Sequence, residues 1–109
     1  MTVYIIARFK IHDRAGYDRY EDNFFEVFQQ FDGTLLSVDE TPTVLQGEFD
    51  FTRSVLIEFP SAEQAMQWMT SEAYQGIVND RLEASVGNVI MVNKLEDSTS
   101  LEGLVKQPV

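Results

Sequence analysis

The 109-residue sequence predicts one α+β domain, in which a four-stranded antiparallel sheet carries two helices on one face. Two observations lead to this prediction. Short runs of β-branched and aromatic residues, typical of strands, alternate with two stretches whose apolar residues recur at spacings of three and four. The composition, 44% hydrophobic and 24% charged, is that of an ordinary globular protein.

The first half of the chain predicts a strand, a helix and an interrupted second strand. The strand over residues 3–11 carries apolar residues on both faces, so we expect both faces to be covered. Asp13 suits the N-cap of the helix that follows, and Gly33 suits a left-handed cap at its end. The second strand is interrupted at Pro42 and resumes over residues 43–47. A proline there indicates an edge strand or a bulge.

The second half predicts a strand, a helix in two pieces and a last strand. The strand covers residues 53–59, and Ser61 followed by Gln64 is a capping-box pattern. After a break, a second helical piece covers residues 72–83, and the last strand covers residues 87–95. The resulting order, β-α-β-β-α-β, is the ferredoxin-like sandwich, in which the first and third strands lie side by side in the centre.

Two helices cover only one face of such a sheet. The strand alternation assigns to the other face Tyr4, Ile6, Leu56, Ile90 and Val92. An apolar sheet face is unfavourable in water, so we expect a second copy of the chain to cover it and form a dimeric α/β barrel. We expect the domain to span residues 1–95, with residues 96–109 as a C-terminal tail or an arm that contacts the partner.

Composition excludes several classes of function. The 18 acidic and 8 basic residues give a formal net charge of -10, so we expect no nucleic acid or membrane partner. With no cysteine and one histidine, we expect no metal site and no cofactor. The chain begins without a basic leader, and no apolar run approaches the roughly 20 residues of a membrane span. We therefore expect a cytoplasmic protein.

Several stretches resemble a known family. They are Gly16-Tyr17-Asp18-Arg19-Tyr20, residues 44–49, residues 53–61, Trp68, residues 71–75 and Arg81. Together they resemble the domain-of-unknown-function family 1330 of the dimeric α/β-barrel superfamily, over about residues 3–95. The resemblance implies the ferredoxin-like fold and a homodimer, and it implies no reaction. Thr34 stands where the family usually has arginine, and Gln46 where it usually has glutamate. A site built on those charges in relatives would be altered here.

Nine residues are candidates for a ligand-binding site, and no residue is assigned a catalytic role. They are Arg8, His12, Tyr17, Tyr20, Arg53, Glu58, Trp68, Tyr74 and Arg81. Arg8 and Glu58 lie near the ends of the two central strands, on one predicted face. They could orient a polar or anionic ligand, with Glu58 as proton acceptor, but an ion pair at the dimer interface is the favoured interpretation.

The other charged candidates also have plainer interpretations. Arg81 could clamp a carboxylate, but a surface or capping salt bridge is favoured. Arg53 opens a strand beside an acidic turn at residues 48–50, so local pairing is favoured. His12 could act as a general base, but an exposed turn histidine is the commoner case.

The aromatic candidates divide between core and pocket. Trp68 and Tyr74 could form the wall of a pocket for an aromatic substrate or haem, although a single tryptophan on an apolar helical stripe is usually core. Tyr17 and Tyr20 are evenly balanced, because their hydroxyl groups need partners and could point into a cavity.

Two functions fit these observations. The first is a small homodimeric protein that binds a small organic ligand in a pocket between helices and sheet, without catalysis. The second is a cofactor-independent monooxygenase or isomerase acting on an aromatic or polyketide-like substrate, by analogy with other dimeric α/β barrels. An enclosed cavity of ligand size lined by Tyr17, Tyr20, Trp68 and Arg81 would favour the second, and a filled core would favour the first or a purely structural dimer.

Overall fold

The structure is a computed structural model that describes residues 1–96, and it confirms the predicted ferredoxin-like arrangement. The strands are β1 (Val3–Ile11), β2 (Thr34–Asp39), β3 (Arg53–Phe59) and β4 (Ser85–Asn93). The helices are α1 (Arg14–Phe28), α2 (Ala62–Met69) and α3 (Glu72–Ala84). The sheet is antiparallel with the order β2-β3-β1-β4, so β1 and β3 lie in the centre, as predicted.

The register of the central strands decides which side chains share a face. Ile5 pairs with Ile57 and Ile6 pairs with Leu56, and consecutive residues of a strand point to opposite faces. The side chains of β1 that face the helices are buried. The face of the sheet that points away from the helices, called the open face below, carries the predicted apolar residues. On this face Ile90 of β4 is 50% exposed.

Aromatic packing holds the helices on the covered face. The ring centroid of Trp68 lies 5.4 Å from that of Phe28, 5.6 Å from that of Phe59 and 4.5 Å from that of Tyr74. Rings at these separations gain roughly 0.5–1.5 kcal/mol per pair beyond the area that they bury. Trp68 thereby joins α2 to the sheet and to both other helices.

Each helix begins at a side-chain cap. Asp13 accepts a hydrogen bond from the Gly16 amide at 3.1 Å, and Ser61 accepts one from the Gln64 amide at 3.1 Å, as predicted for both positions. The Gln64 side chain does not complete the capping box, because its Oε1 accepts a hydrogen bond from the Ser61 hydroxyl rather than from the Ser61 backbone amide. Its Nε2 donates to Asp32. The predicted break between the two helical pieces is itself a cap, in which Ser71 accepts from the Tyr74 amide.

The prediction for the end of the first helix is wrong. The helix ends at Phe28, and Gly33 does not adopt the left-handed conformation. The reason for a glycine is steric, since a Cβ atom at Gly33 would lie 2.6 Å from both the Phe28 and the Phe59 ring. Gly33 therefore lets the chain pass close to the core and enter β2.

Two other boundaries also differ. Within the described residues, no strand occurs between β2 and β3, so the predicted extended segment over residues 43–47 does not join the sheet. β2 is an edge strand, as Pro42 indicated, but its bulge lies between Leu35 and Ser37. The last strand begins two residues earlier than predicted, at Ser85.

The predicted tail or arm over residues 96–109 lies outside the described residues except for Glu96, and the predicted domain boundary stays a prediction. Within residues 1–96, no helix has the length and apolar character needed to span a membrane.

We expect Gly87→Ala to lower the free energy of unfolding by about 1–3 kcal/mol, because the new Cβ atom would overlap the Arg8 carbonyl oxygen of the neighbouring strand. Urea denaturation measures the change. Gly76→Ala is the matched control: Gly76 lies in α3 with open space around it, so alanine there should raise stability by about 0.5–1 kcal/mol. Equal effects at the two positions would contradict the strand pairing.

Candidate functional site

A cavity of about 220 Å³ lies between the covered face of the sheet and the helices. Ala7, in the middle of β1, contributes a short side chain to it, flanked by Ile5 and Phe9. Phe24 of α1 and Val89 of β4 also line the cavity. The layer between helices and sheet is therefore not completely filled by side chains.

Seven side chains bring polar atoms to this mostly apolar cavity. They are Tyr17, Tyr20, Glu21, Arg53, Trp68, Tyr74 and Arg81. All of them except Glu21 are predicted site residues, and they come from α1, β3, α2 and α3. Tyr17, Tyr20, Trp68 and Arg81, which the sequence analysis named together, therefore line one cavity.

The structure does not bring the other three candidates to the cavity. Arg8 pairs with Ser54 and Glu58 pairs with Tyr4, so the two charges lie four residues apart along the open face, a strand distance of roughly 13 Å. They form no ion pair within the chain, and the guanidinium carbon of Arg8 lies 5.0 Å from the centre of the Phe51 ring. His12 is exposed in the turn after β1 and does not line the cavity.

The surface interpretation of Arg81 is wrong. Arg81 lies in the last turn of α3, but its side chain enters the cavity and the residue is only 8% exposed. Its guanidinium carbon lies 4.7 Å from the centre of the Phe9 ring and 5.8 Å from that of the Tyr20 ring. Aromatic faces therefore surround this cation, which the sequence pattern placed on a polar helix surface.

The predicted pairing of Arg53 with the acidic turn at residues 48–50 is also wrong. Arg53 forms ion pairs with Glu21 of α1 and with Glu40, which follows β2. The turn instead provides Asp50 to Lys10, at 3.1 Å. Arg53 thus links the sheet to α1 and to the segment after β2 at one end of the cavity.

Glu21 is the polar cavity residue that the sequence analysis did not name as a candidate. It lies four residues after Tyr17, which is one helical turn, so its carboxylate can share a face with the buried tyrosines. That spacing was the available signal. The ion pair with Arg53 makes partial burial of this carboxylate tolerable.

Tyr20 and Tyr74 complete the polar set with a hydrogen bond between their hydroxyl oxygens, 2.9 Å long. One hydroxyl donates and the other accepts, so the pair retains one proton for a further acceptor. Trp68 has both of its predicted roles, since it is 2% exposed in the core and also lines the cavity.

Tyr17 and Tyr20 are neutral at physiological pH. Burial raises the pKa of Tyr17 to about 12, against the attraction of the nearby Arg53 cation. Burial and the neighbouring Tyr74 raise the pKa of Tyr20 well above its usual value of 10. These phenols can donate or accept hydrogen bonds, but they are poor proton acceptors in this form. Within residues 1–96, no group of three acidic or histidine side chains could hold a metal ion.

The sequence profile of the domain of unknown function DUF1330 matches residues 2–95. The chain belongs to this family. No curated protein sequence matches the chain at a significant level. Thr34 and Gln46, where the resemblance led us to expect charged residues, are exposed and lie outside the cavity.

Solved structures similar to this DUF1330 domain share its fold at low sequence identity. A protein of unknown function from Rhodopseudomonas palustris has a TM-score of 0.72 and 16% identity, covering 87% of this chain and 83% of its own. A Dabb family protein with a ferredoxin-like fold from Mesorhizobium loti has a TM-score of 0.61 and 12% identity, covering 87% and 98%. SnoaB, a cofactor-independent oxygenase from Streptomyces nogalater, has a TM-score of 0.61 and 12% identity, covering 91% and 98%.

We expect the free energy of unfolding to fall as the pH rises from 10 to 12. In this range the unfolded chain loses tyrosine protons that the folded chain retains on Tyr17 and Tyr20, so folding becomes less favourable. Each group contributes a slope of at most about 1.4 kcal/mol per pH unit. Urea denaturation at several pH values measures the slope, which should be smaller in Tyr17→Phe. The same slope in the variant and in the wild type would contradict the raised pKa of Tyr17.

Proposed function

We propose that this chain binds a small organic molecule in the cavity between helices and sheet. The observation that carries the proposal is the cavity itself, whose walls are mostly apolar and into which a few polar groups converge from four elements. Ligand sites typically combine apolar walls with a small number of polar groups that orient the ligand. The volume of about 220 Å³ lies below the roughly 300–1,000 Å³ of drug-sized sites, which favours a ligand of one or two rings.

We also propose that the protein is cytoplasmic and that it forms a homodimer through the open sheet face. The homodimer is what the family resemblance implies. The support is the exposed apolar surface, on which Val86, Ile90 and Val92 of β4 are 67%, 50% and 38% exposed. When the twofold axis of the dimer is perpendicular to the strands, the rotation reverses the strand direction between the two copies. The end of one open face that carries Arg8 then lies against the end of the other open face that carries Glu58. The ion pair suggested by the sequence would then form between chains.

A cofactor-independent monooxygenase or isomerase is the second candidate. Its support is that Tyr17, Tyr20, Trp68 and Arg81 line the cavity and that the fold is shared with one such oxygenase. Either reaction needs a base that takes a proton from the substrate. Glu21 is the carboxylate that lines the cavity, although it is also the ion-pair partner of Arg53.

The assay for turnover uses those compounds that bind. Oxygen uptake with consumption of the compound would identify a monooxygenase, and rearrangement without oxygen uptake would identify an isomerase. Recovery of the unchanged compound would leave the protein as a binding protein for that compound.

We expect Ala7→Leu to weaken the binding of small aromatic compounds at least tenfold, because the larger side chain occupies the cavity. Trp68 is the single tryptophan and lines the cavity, so its fluorescence reports binding directly. Titration with two-ring aromatic compounds gives the affinity.

The matched control is Ala62→Leu, the same substitution at an exposed position at the start of α2. It should bind as the wild type does, and circular dichroism should show that both variants fold. If Ala7→Leu binds as tightly as the wild type, the ligand does not occupy this cavity.

We expect Arg8→Glu and Glu58→Arg to weaken the homodimer singly, and the double variant to restore it. Each single substitution places like charges against each other across the proposed interface, whereas the double variant exchanges the two partners. Light scattering over a concentration series measures the dissociation constant, with a loss of at least tenfold for each single variant.

The control substitution is Asp22→Arg, which changes the charge on an exposed position of α1, away from the open face. It should leave the dimer unchanged. Additive losses in the double variant would contradict the pairing of Arg8 with Glu58, and a monomeric wild type would contradict the dimer.

A further inference from the structure

Arg53 and Arg81 both line the cavity, but only Arg53 has a carboxylate partner among the described residues. Among residues 1–96, Arg14, Arg19 and Arg53 each form ion pairs, and Arg8 is exposed on the open face. None of these ion pairs includes Arg81, which is only 8% exposed. An unpaired charge in an apolar layer is costly, so this guanidinium is a strong site for an anion.

Hydrogen-bond donors around the cavity also lack acceptors. Within the described residues, the buried Nε atoms of Arg53 and Arg81 and the indole Nε1 of Trp68 have no hydrogen-bond partner. A buried donor without an acceptor is destabilising. All three residues line the same cavity, so a ligand that brings acceptor oxygens would relieve these costs.

The two arginines are not equivalent as anion sites. The charge of Arg53 is already compensated by Glu21 and Glu40. The faces of the Phe9 and Tyr20 rings hold the guanidinium of Arg81 in place without neutralising it. Arg81 is therefore the group that provides net positive charge inside the cavity.

We infer that the ligand of this cavity is an aromatic carboxylate, whose anionic group is bound by Arg81 and whose ring lies among the apolar walls. This inference rests on the proposed ligand-binding function and adds the charge and chemical class of the ligand. A carboxylate is ionised at neutral pH and accepts two parallel hydrogen bonds from a guanidinium. Its ring would contact side chains such as Ile57, Phe24 and Val89.

The test compares 2-naphthoate with 2-naphthamide, which have the same ring system and nearly the same shape but differ in charge. Isothermal titration calorimetry with the full wild-type chain should give at least tenfold tighter binding for 2-naphthoate. Arg81→Met keeps an unbranched side chain but removes the charge. It should weaken 2-naphthoate binding at least tenfold and leave 2-naphthamide binding unchanged.

Two further measurements separate ligand binding by Arg81 from a structural role. Removal of an unpaired buried charge should raise the Tm of Arg81→Met above that of the wild type, whereas loss of a structural contact would lower it. Arg19→Met is the matched control: Arg19 is an exposed arginine on α1, paired with Asp80, and its loss should change binding of neither compound.

The outcomes distinguish this inference from the proposed function. Equal binding of both compounds by the wild type, weakened for both in Ala7→Leu, would establish the cavity as a binding site and overturn the anion inference. A lower Tm in Arg81→Met with unchanged 2-naphthoate binding would overturn it as well. If neither compound binds at millimolar concentration, the proposed function fails too. The wild-type comparison decides the inference even if Arg81→Met does not fold.

Discussion

The packing of Trp68 is the interaction on which the rest of the structure depends. Its indole lies between Phe24 and Phe28 of α1, Phe59 of β3 and Tyr74 of α3. Rigid rings that meet edge to face or stacked cannot collapse as flexible aliphatic chains can, so they set the separation between the helices and the sheet. Where a side chain is too short to span this separation, a space remains unfilled between the helices and the sheet.

The cavity is the consequence of this packing over a short side chain. Ala7 lies in the middle of the central strand, where Ile5 and Phe9 on either side are large enough to contact the helices. An empty space of this size in a core is destabilising, because its walls lose contacts that a filled core would make. A small domain with few compensating contacts tolerates such a space more easily when a ligand fills it.

The acidic surface and the buried Arg81 cation act on an anionic ligand over different distances. The net charge of -10 is spread over an exposed surface, where salt screens it beyond about 8 Å at physiological ionic strength. The Arg81 cation lies among aromatic rings, where screening is weak and attraction to an anion is strong. The acidic surface would slow the approach of an anion without weakening its contact with the buried guanidinium. Selectivity is therefore decided inside the cavity.

The sequence predicted those parts of the fold that depend on local patterns. The alternation of β1 and β3 identified both faces of the sheet, and the caps at Asp13 and Ser61 were identified from residue type. The end of α1 was not predicted, because the role of Gly33 depends on two rings that meet only in the folded chain.

The sequence analysis identified most of the polar residues that line the cavity, but not the residues with which the charged ones pair. Aromatic and arginine side chains at helical and strand positions were enough to nominate six of the seven polar residues of the cavity. The partner of a long charged side chain is decided by tertiary contacts, so local acidity misassigned both Arg53 and Arg81. Glu21 was missed because a carboxylate one turn from a buried tyrosine looks the same as one on a solvated helix face.

The charges and protons in the cavity connect the two candidate functions. Tyr17 and Tyr20 retain their protons, Glu21 forms an ion pair with Arg53, and the Arg81 guanidinium has no carboxylate partner among the described residues. This environment favours one negative charge on whatever occupies the cavity. A binding protein would use it to retain a ligand that arrives as an anion. An oxygenase or isomerase would use the same cation to stabilise an anion formed in the cavity, and would also need a base to form it. What separates the two functions is therefore whether the negative charge of the ligand exists before it binds.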